Sequence, residues 1–245
     1  MRLVYLIIKD IFRFISWIPT VFVMPIVFLI TIVYMTEINI YQQIISLSIQ
    51  TALGGTVALG GYAIKNDIGR NLLQQNLHCK LGWGRLNFIR NLSYTCLGIG
   101  PSILYSVYLL IVGLVRIEKF FLLLVIFMPA LIVIFTSLGS LVGILFVVTP
   151  YGNFLSTLFS RILMVLGGIY VPPELLPDYL KWVTYVMPFY WLNQLGNSIL
   201  LGGMVQTRMI SAGILIIFSL GLILISIFLN TKIEERFTFQ EDGYY

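Results

Sequence analysis

Long apolar runs alternate with short polar breaks along the chain. A bilayer core of about 30 Å is crossed by roughly 20 apolar residues of helix. The runs have about this length and predict six spans, near residues 17–35, 44–64, 93–115, 120–148, 154–170 and 209–229. We therefore predict an all-α polytopic membrane protein with six transmembrane helices, forming a single transmembrane domain over residues 1–245.

The first residues, 2–16, have a different pattern. Apolar residues recur at helical spacing, and Arg2, Lys9, Asp10 and Arg13 fall on the opposite face. This pattern is typical of an amphipathic helix lying in the membrane interface. The alternative is a plain extension of the first span.

Residues 170–203 are too polar for a lipid-facing helix and too apolar for an exposed loop. Pro177 and Pro188 divide them into two short amphipathic pieces. Backbone that does not span survives at membrane depth only where protein or a water-filled cavity covers it. We predict a re-entrant pair of half-helices between spans five and six; the alternative is a helix lying on the membrane surface.

Composition agrees with a membrane protein. Of 245 residues, 59% are hydrophobic and 10% are charged, against about 25% charged in soluble domains. The net charge is +5. The basic residues lie next to the predicted spans and do not form a basic face with interleaved aromatics, so nucleic acid is not an expected partner. Most Lys and Arg fall in the N-terminus, in residues 65–90 and in the tail, 230–245. The positive-inside rule therefore predicts a multi-pass cell-membrane protein with both termini and the 65–90 loop cytoplasmic, and with residues 170–203 extracellular.

Catalytic and metal-binding patterns are weak. His78 is the single histidine, and Cys79 and Cys96 form no CxxC pair, so no disulfide framework or metal site is expected. Glu174 and Asp178 lie one helical turn apart without a further base or nucleophile, which disfavours a membrane enzyme. The chain has no GxxxxGK[ST] phosphate loop, so we expect no enzymatic activity and no cofactor in this chain.

Residues 167–203, GGIYVPPELLPDYLKWVTYVMPFYWLNQLGNSILLGG, resemble the C-terminal signature of type-2 permease subunits of ATP-binding-cassette (ABC) exporters. The matching positions are Gly168, Pro172, Leu176, Pro177, Leu180 and Pro188. The segment NDIGRNLL, residues 66–73, resembles the family's acidic-x-Gly-x-x-x-Leu segment, which leads into its coupling helix. Asp67, Gly69 and Leu73 carry that match.

The resemblance implies a half-permease that pairs with a second permease, identical or homologous. ATP and Mg²⁺ would be bound by separate nucleotide-binding ATPase subunits, on which residues 2–16 and 65–90 would rest. The implied coupling residues are Asp67, Gly69, Arg70, Gln74 and Arg85. The implied outer gate is the 170–203 segment, with Pro177, Pro188, Asn193, Gln194 and Asn197.

In this family the second and fifth spans line the path at the dimer axis. The polar residues of these spans are Gln50, Thr51, Ser156, Ser160 and Arg161. Each could instead form a hydrogen bond between helices, and Arg161 could extend to the cytoplasmic headgroups.

A mostly apolar path favours a hydrophobic or amphipathic cargo: a drug, an antibiotic, a lipid or a peptide. Abundant Phe and Tyr would also suit sugars, so a polysaccharide-exporting ABC permease stays open. A non-exporter six-span assembly subunit would need a ligand such as His in or near a span, and His78 lies in a loop. A structural scaffold is a further alternative.

Overall fold

The computed structural model describes residues 23, 39–69, 82–149, 151–167 and 176–242. These residues are mainly helical and contain no strand, so the predicted all-α class is confirmed. The helices are α1 (Ile40–Leu53), α2 (Gly60–Gly69), α3 (Trp83–Ile111), α4 (Ile117–Leu122), α5 (Met128–Val148), α6 (Gly152–Leu166), α7 (Asp178–Val186), α8 (Pro188–Leu200) and α9 (Val205–Asp242). Two π-helical segments, Gly54–Leu59 and Leu123–Phe127, join α1 to α2 and α4 to α5.

Three helical stretches in the described part of the chain are long and apolar enough to cross a membrane: Trp83–Ile111, Ile117–Val148 and Val205–Ile233. They correspond to the third, fourth and sixth predicted spans. The second predicted span coincides with the continuous helix from α1 to α2, and the fifth with α6. The first span and the interfacial helix lie outside the described residues, so the total of six spans stays a prediction.

The sequence predicts a bend at Pro129, and a π-helical segment ends at Phe127, two residues before this proline. Proline has no backbone N–H, so the carbonyl four residues earlier, that of Val125, loses its α-helical partner. A π-helical segment is one way in which a helix accommodates such an interruption. The helix then continues as α5.

Contacts at the helix termini sort the bundle into two ends. The Tyr41 hydroxyl at the start of α1 donates to the Leu114 carbonyl just after α3, at 3.3 Å. The Lys119 ammonium in α4 donates to the Leu200 carbonyl at the end of α8, at 2.5 Å. We call this the Lys119 end. The end of α2 and the first turns of α3, which carry Arg90, form the opposite, Arg90 end.

Glycines allow helices to touch backbone to backbone between the two ends. A Cβ on Gly55 would lie 2.6 Å from the Tyr94 carbonyl oxygen and 2.8 Å from the Cα of Gly98. A Cβ on Gly60 would lie 2.5 Å from the Asn91 amide oxygen. The small residues Ala52, Thr56 and Gly60 predict a close helix approach in this span, and the structure confirms it, with backbone-to-backbone contact at Gly55.

The GxxxG pair in α5 is also a packing site. A Cβ on Gly139 would lie 2.6 Å from the amide oxygen of Asn91, and one on Gly143 would lie 2.8 Å from that of Asn87. The two glycines therefore let α5 lie directly against the polar face of α3, which confirms the close packing that the motif predicts.

The segment between spans five and six divides at the predicted prolines. Helix α7 begins directly after Pro177, and α8 begins at Pro188. Pro188 suits a first helical turn, where its missing N–H leaves no unpaired acceptor. The indole N–H of Trp191 donates to the Tyr185 carbonyl at 2.8 Å, which ties the start of α8 to α7.

Helix α8 enters the core of the bundle. The rings of Phe189 and Phe135 lie 5.2 Å apart at one end of α8, and Leu200 reaches Lys119 at the other. Eleven residues separate Phe189 from Leu200, a rise of about 17 Å, roughly half of a 30 Å bilayer core. This depth is consistent with a re-entrant helix, whose placement in a membrane stays a prediction.

Candidate transport path and coupling end

Asp67 lies in the last turn of α2, with its carboxylate buried. The guanidinium of Arg90 in α3 donates to it at 2.5 Å, and the two side chains are 1% and 11% exposed. A buried charge is costly unless it is paired and hydrogen-bonded. The ion pair therefore fixes the end of α2, where the chain enters residues 70–81, against α3.

The other implied coupling residues lie at the same end or outside the description. Gly69 is the last residue of α2, and Arg85 is exposed in the first turn of α3. Arg70 and Gln74 lie outside the described residues. The exposed Arg85 could contact an ATPase directly, whereas the buried Asp67 would act by positioning the backbone around it. The coupling role of the whole set stays a prediction.

A buried polar network lies beside the ion pair, and sequence reasoning missed it. The Asn87 amide donates to the Ser140 carbonyl at 3.0 Å, and the Ser226 hydroxyl donates to that of Ser140 at 2.7 Å. The Asn230 amide donates to the Ser226 carbonyl at 2.7 Å. The network joins α3, α5 and α9. The one available signal was the spacing of Asn87 and Asn91, which places two amides on one face of α3.

Helix α6 presents an exposed apolar stripe that contains a charge. Phe154 is 66% exposed, Leu158 and Ile162 are each 44% exposed, and Arg161 is exposed among them. Leu163 faces the core instead. Arg161 follows Gly152, the first residue of α6, by nine residues, about 14 Å along the axis. If α6 spans the bilayer from Gly152, this is near half of the hydrocarbon core, where a cation would cost about 2.5–3.5 kcal/mol on insertion scales; the depth of Arg161 stays a prediction.

The remaining path residues differ in burial and in hydrogen bonding. Gln50 is half-buried and shares a helix face with the exposed Gly54. Thr51 is buried and donates to the Ser48 carbonyl of its own helix at 3.2 Å, so its hydroxyl is engaged within α1. Ser156 and Ser160 lie in α6, but their side chains are outside the description. Helix α6 runs beside the π-helical segment Gly54–Leu59.

The three polar residues of the implied gate, Asn193, Gln194 and Asn197, form a half-buried strip on α8. The Asn197 amide donates to the Asn193 side-chain oxygen at 3.2 Å, and the Gln194 amide donates to the Tyr190 hydroxyl at 3.2 Å. The side-chain oxygen of Asn197 is buried with no hydrogen-bond partner. The strip lies beside the apolar face that α8 packs into the core.

Two cations cap the C-terminal end of α8. Lys119 donates to the Leu200 carbonyl at 2.5 Å and lies 4.7 Å from the centre of the Tyr41 ring. Arg208 in α9 donates to the Ser198 carbonyl at 2.9 Å. The last carbonyls of a helix lack partners within it and carry partial negative charge. Lys119 and Arg208 lie just before the fourth and sixth predicted spans, and their role as caps of α8 became visible only in the tertiary structure.

Helix α7 carries an exposed ion pair in its first turn. The Lys181 ammonium donates to the Asp178 carboxylate at 2.7 Å. This hydrogen bond, with the positive charge of Lys181, lowers the pKa of Asp178 below its ordinary value of 3.8. Within the described residues, no group of three or more His, Cys, Asp or Glu side chains could hold a metal ion.

The apolar helices, the buried polar contacts between them and the short helices α7 and α8 define a polytopic membrane-embedded protein. The family model of the ABC-2 type transporter matches residues 13–201, and the chain therefore belongs to the ABC-2 type transporter family. Domains of this family are the membrane permease components of ABC transporters and generally partner with ATP-binding subunits. Searches of curated proteins and of solved structures found no significant match.

Proposed function

We propose that this chain is the permease subunit of an ATP-driven exporter. With a second permease copy it would form the path for a hydrophobic or amphipathic substrate. ATP would be hydrolysed, with Mg²⁺, on separate nucleotide-binding subunits at the Arg90 end. The permease role follows from the family, whereas the direction, the substrate class and the second copy are the proposal.

The observation that carries this proposal is the exposed stripe of α6 with Arg161 in it. A charge near the middle of a span normally faces protein or water rather than lipid. Its large exposed side chains are apolar, namely Phe154, Leu158 and Ile162. A second copy packed against this face, with a water-accessible path at the contact, would remove the cost of exposing Arg161 to lipid. Apolar neighbours around one cation suit an amphipathic cargo.

The coupling end supports a mechanical role for residues 65–90. The Asp67–Arg90 pair joins the end of α2 to α3, and the Gly55–Gly98 contact joins the same two helical stretches deeper in the bundle. A push on the loop between them would therefore move α2 and α3 together, as a rigid-body switch. Lys119 and Arg208 would hold the gate helix α8 at the opposite end.

Cysteine cross-linking in membranes tests the second copy. In a Cys79→Ser/Cys96→Ser background, we expect Leu158→Cys to give a disulfide-linked dimer, because two α6 stripes face each other. Leu224→Cys on α9 is the matched control, since it is 66% exposed but lies on a different helix. The proposal is wrong if Leu158→Cys gives no dimer, or if both variants cross-link equally.

A further inference from the structure

A groove lies between the first turns of α3 and the second half of α9, at the Arg90 end. Its volume is about 510 Å³. The lining residues are Gly82, Gly84, Arg85, Phe88, Ile223, Ser226, Ile227, Asn230 and Thr231. Among these described lining residues Arg85 is the one that is charged, and none is acidic. The groove lies away from the α6 stripe and is not needed for the proposed path.

The walls of the groove are apolar, and its floor is already engaged within the protein. Phe88, Ile223 and Ile227 supply the walls, and Ile227 is 56% exposed. Ser226 and Asn230 form the floor, are buried, and are hydrogen-bonded within the polar network of α3, α5 and α9. A polar solute would find few free partners here, whereas a hydrocarbon chain would contact the walls.

The cation lies at the level where lipid headgroups belong. Arg85 is the third residue of α3, and Thr231 lies two residues before the end of the apolar stretch Val205–Ile233. From Thr231 back to Ile223 the groove extends eight residues into the apolar part of α9, about 12 Å. Only 11% of the apolar window of α9 is buried in the protein. Most of this helix surface is therefore open to lipid, which can enter the groove from within the bilayer.

We propose that this groove binds an anionic phospholipid. The Arg85 guanidinium would bind the phosphate, for which its forked donors are well shaped, and one acyl chain would lie along Phe88, Ile223 and Ile227. The charge of Arg85, the charged side chain among the described lining residues, favours an anionic headgroup over a zwitterionic one. The site belongs to the isolated permease and does not depend on export or on a second copy.

Native mass spectrometry of the purified chain tests the site, with dioleoyl phosphatidylglycerol and dioleoyl phosphatidylcholine as probes. We expect the phosphatidylglycerol to bind about fivefold more tightly than the phosphatidylcholine. This is the factor that one cation supplies in the attraction of an anionic lipid. Arg85→Gln should abolish this preference, and Arg85→Lys should keep most of it. Ile227→Trp should weaken both lipids by filling the groove. Lys65→Gln is the matched control, because Lys65 is an exposed cation of α2 that does not line the groove.

Two outcomes would overturn the proposal. One is an unchanged preference in Arg85→Gln together with unchanged binding in Ile227→Trp. The other is an equal loss of preference in Lys65→Gln, which would show attraction by overall charge. If Arg85→Gln does not fold, Arg85→Lys and Ile227→Trp decide the question, since the first keeps the charge and the second changes an exposed side chain.

Discussion

Two aspartate–cation pairs in the described part of the chain have similar lengths but very different surroundings. Asp67 and Arg90 lie 2.5 Å apart with side chains 1% and 11% exposed, whereas Asp178 and Lys181 lie 2.7 Å apart with side chains 95% and 33% exposed. The first pair joins two helices across 23 residues of sequence, and the second joins neighbouring turns of α7. The distance between the charged groups therefore does not distinguish a buried contact that joins two helices from an exposed contact within one helix.

Burial and connection decide what each pair does. A buried pair that loses one partner leaves an uncompensated charge in a poorly solvated place. An exposed pair that loses one partner leaves a group that water solvates. We expect the Asp67–Arg90 pair to control how the coupling loop is held, and the Asp178–Lys181 pair to matter only locally.

Removal of Arg90 should have the largest effect. Arg90→Met takes the guanidinium from a carboxylate that stays buried, and the cost for such a change is about 3–5 kcal/mol. We expect a clear fall in the thermal unfolding midpoint of the purified chain. Lys181→Met is the matched control and should leave the midpoint where it is.

A double variant separates a charge effect from a loss of packing. Asp67→Asn/Arg90→Met neutralises the buried carboxylate as well as removing the pair, so it should recover much of the lost stability. If the double variant is no more stable than Arg90→Met, or if Lys181→Met costs as much, burial is not what distinguishes the two pairs.

The next effect concerns the second contact between the helix of Asp67 and that of Arg90. A Cβ on Gly55 would meet the backbone of Tyr94 and Gly98, whereas a Cβ on the preceding Gly54 would meet nothing within 4 Å. Gly55→Ala should therefore destabilise by about 1–3 kcal/mol through overpacking. Gly54→Ala should be neutral or stabilise by about 0.5–1 kcal/mol, because Ala is the better helix residue. Thermal unfolding of both single variants checks this.

Thermal unfolding also tests whether the glycine contact and the Asp67–Arg90 pair stabilise the chain independently. Gly55 and Asp67 are twelve residues apart on one helical stretch, about 18 Å, and the contacts described for them are with different residues of α3. The costs of Gly55→Ala and Arg90→Met should then add in the double variant. A strongly non-additive result would mean that the pair and the glycine contact act as one unit. Equal costs for Gly54→Ala and Gly55→Ala would contradict the close contact itself.

Sequence reasoning predicted the features with local signals. Apolar runs mark the helices that contain the second to sixth predicted spans, and Pro177 and Pro188 mark the starts of α7 and α8, because proline restricts the backbone of its own segment. The Asp67–Arg90 pair has no such signal, since partners 23 residues apart meet only when two helices pack antiparallel. For the same reason the contact of Lys119 with the end of α8 could not be predicted, because Leu200 lies 81 residues further along the chain. The family resemblance rested on local motifs and was confirmed.

The smallest effect concerns the exposed pair. The hydrogen bond from Lys181 lowers the pKa of Asp178 below 3.8, so the folded carboxyl releases its proton more readily than the unfolded one. The contribution of this bond to stability is complete above the unfolded pKa and is lost as the pH falls through the lower folded pKa. NMR titration of ¹³C-labelled aspartate in micelles should place the pKa of Asp178 below 3.8 and should return it to about 3.8 in Lys181→Met. Titration at or above 3.8 in the unaltered chain would show that Lys181 does not hold the carboxylate in solution, and that Asp67 and Arg90 form the one lasting pair of the two.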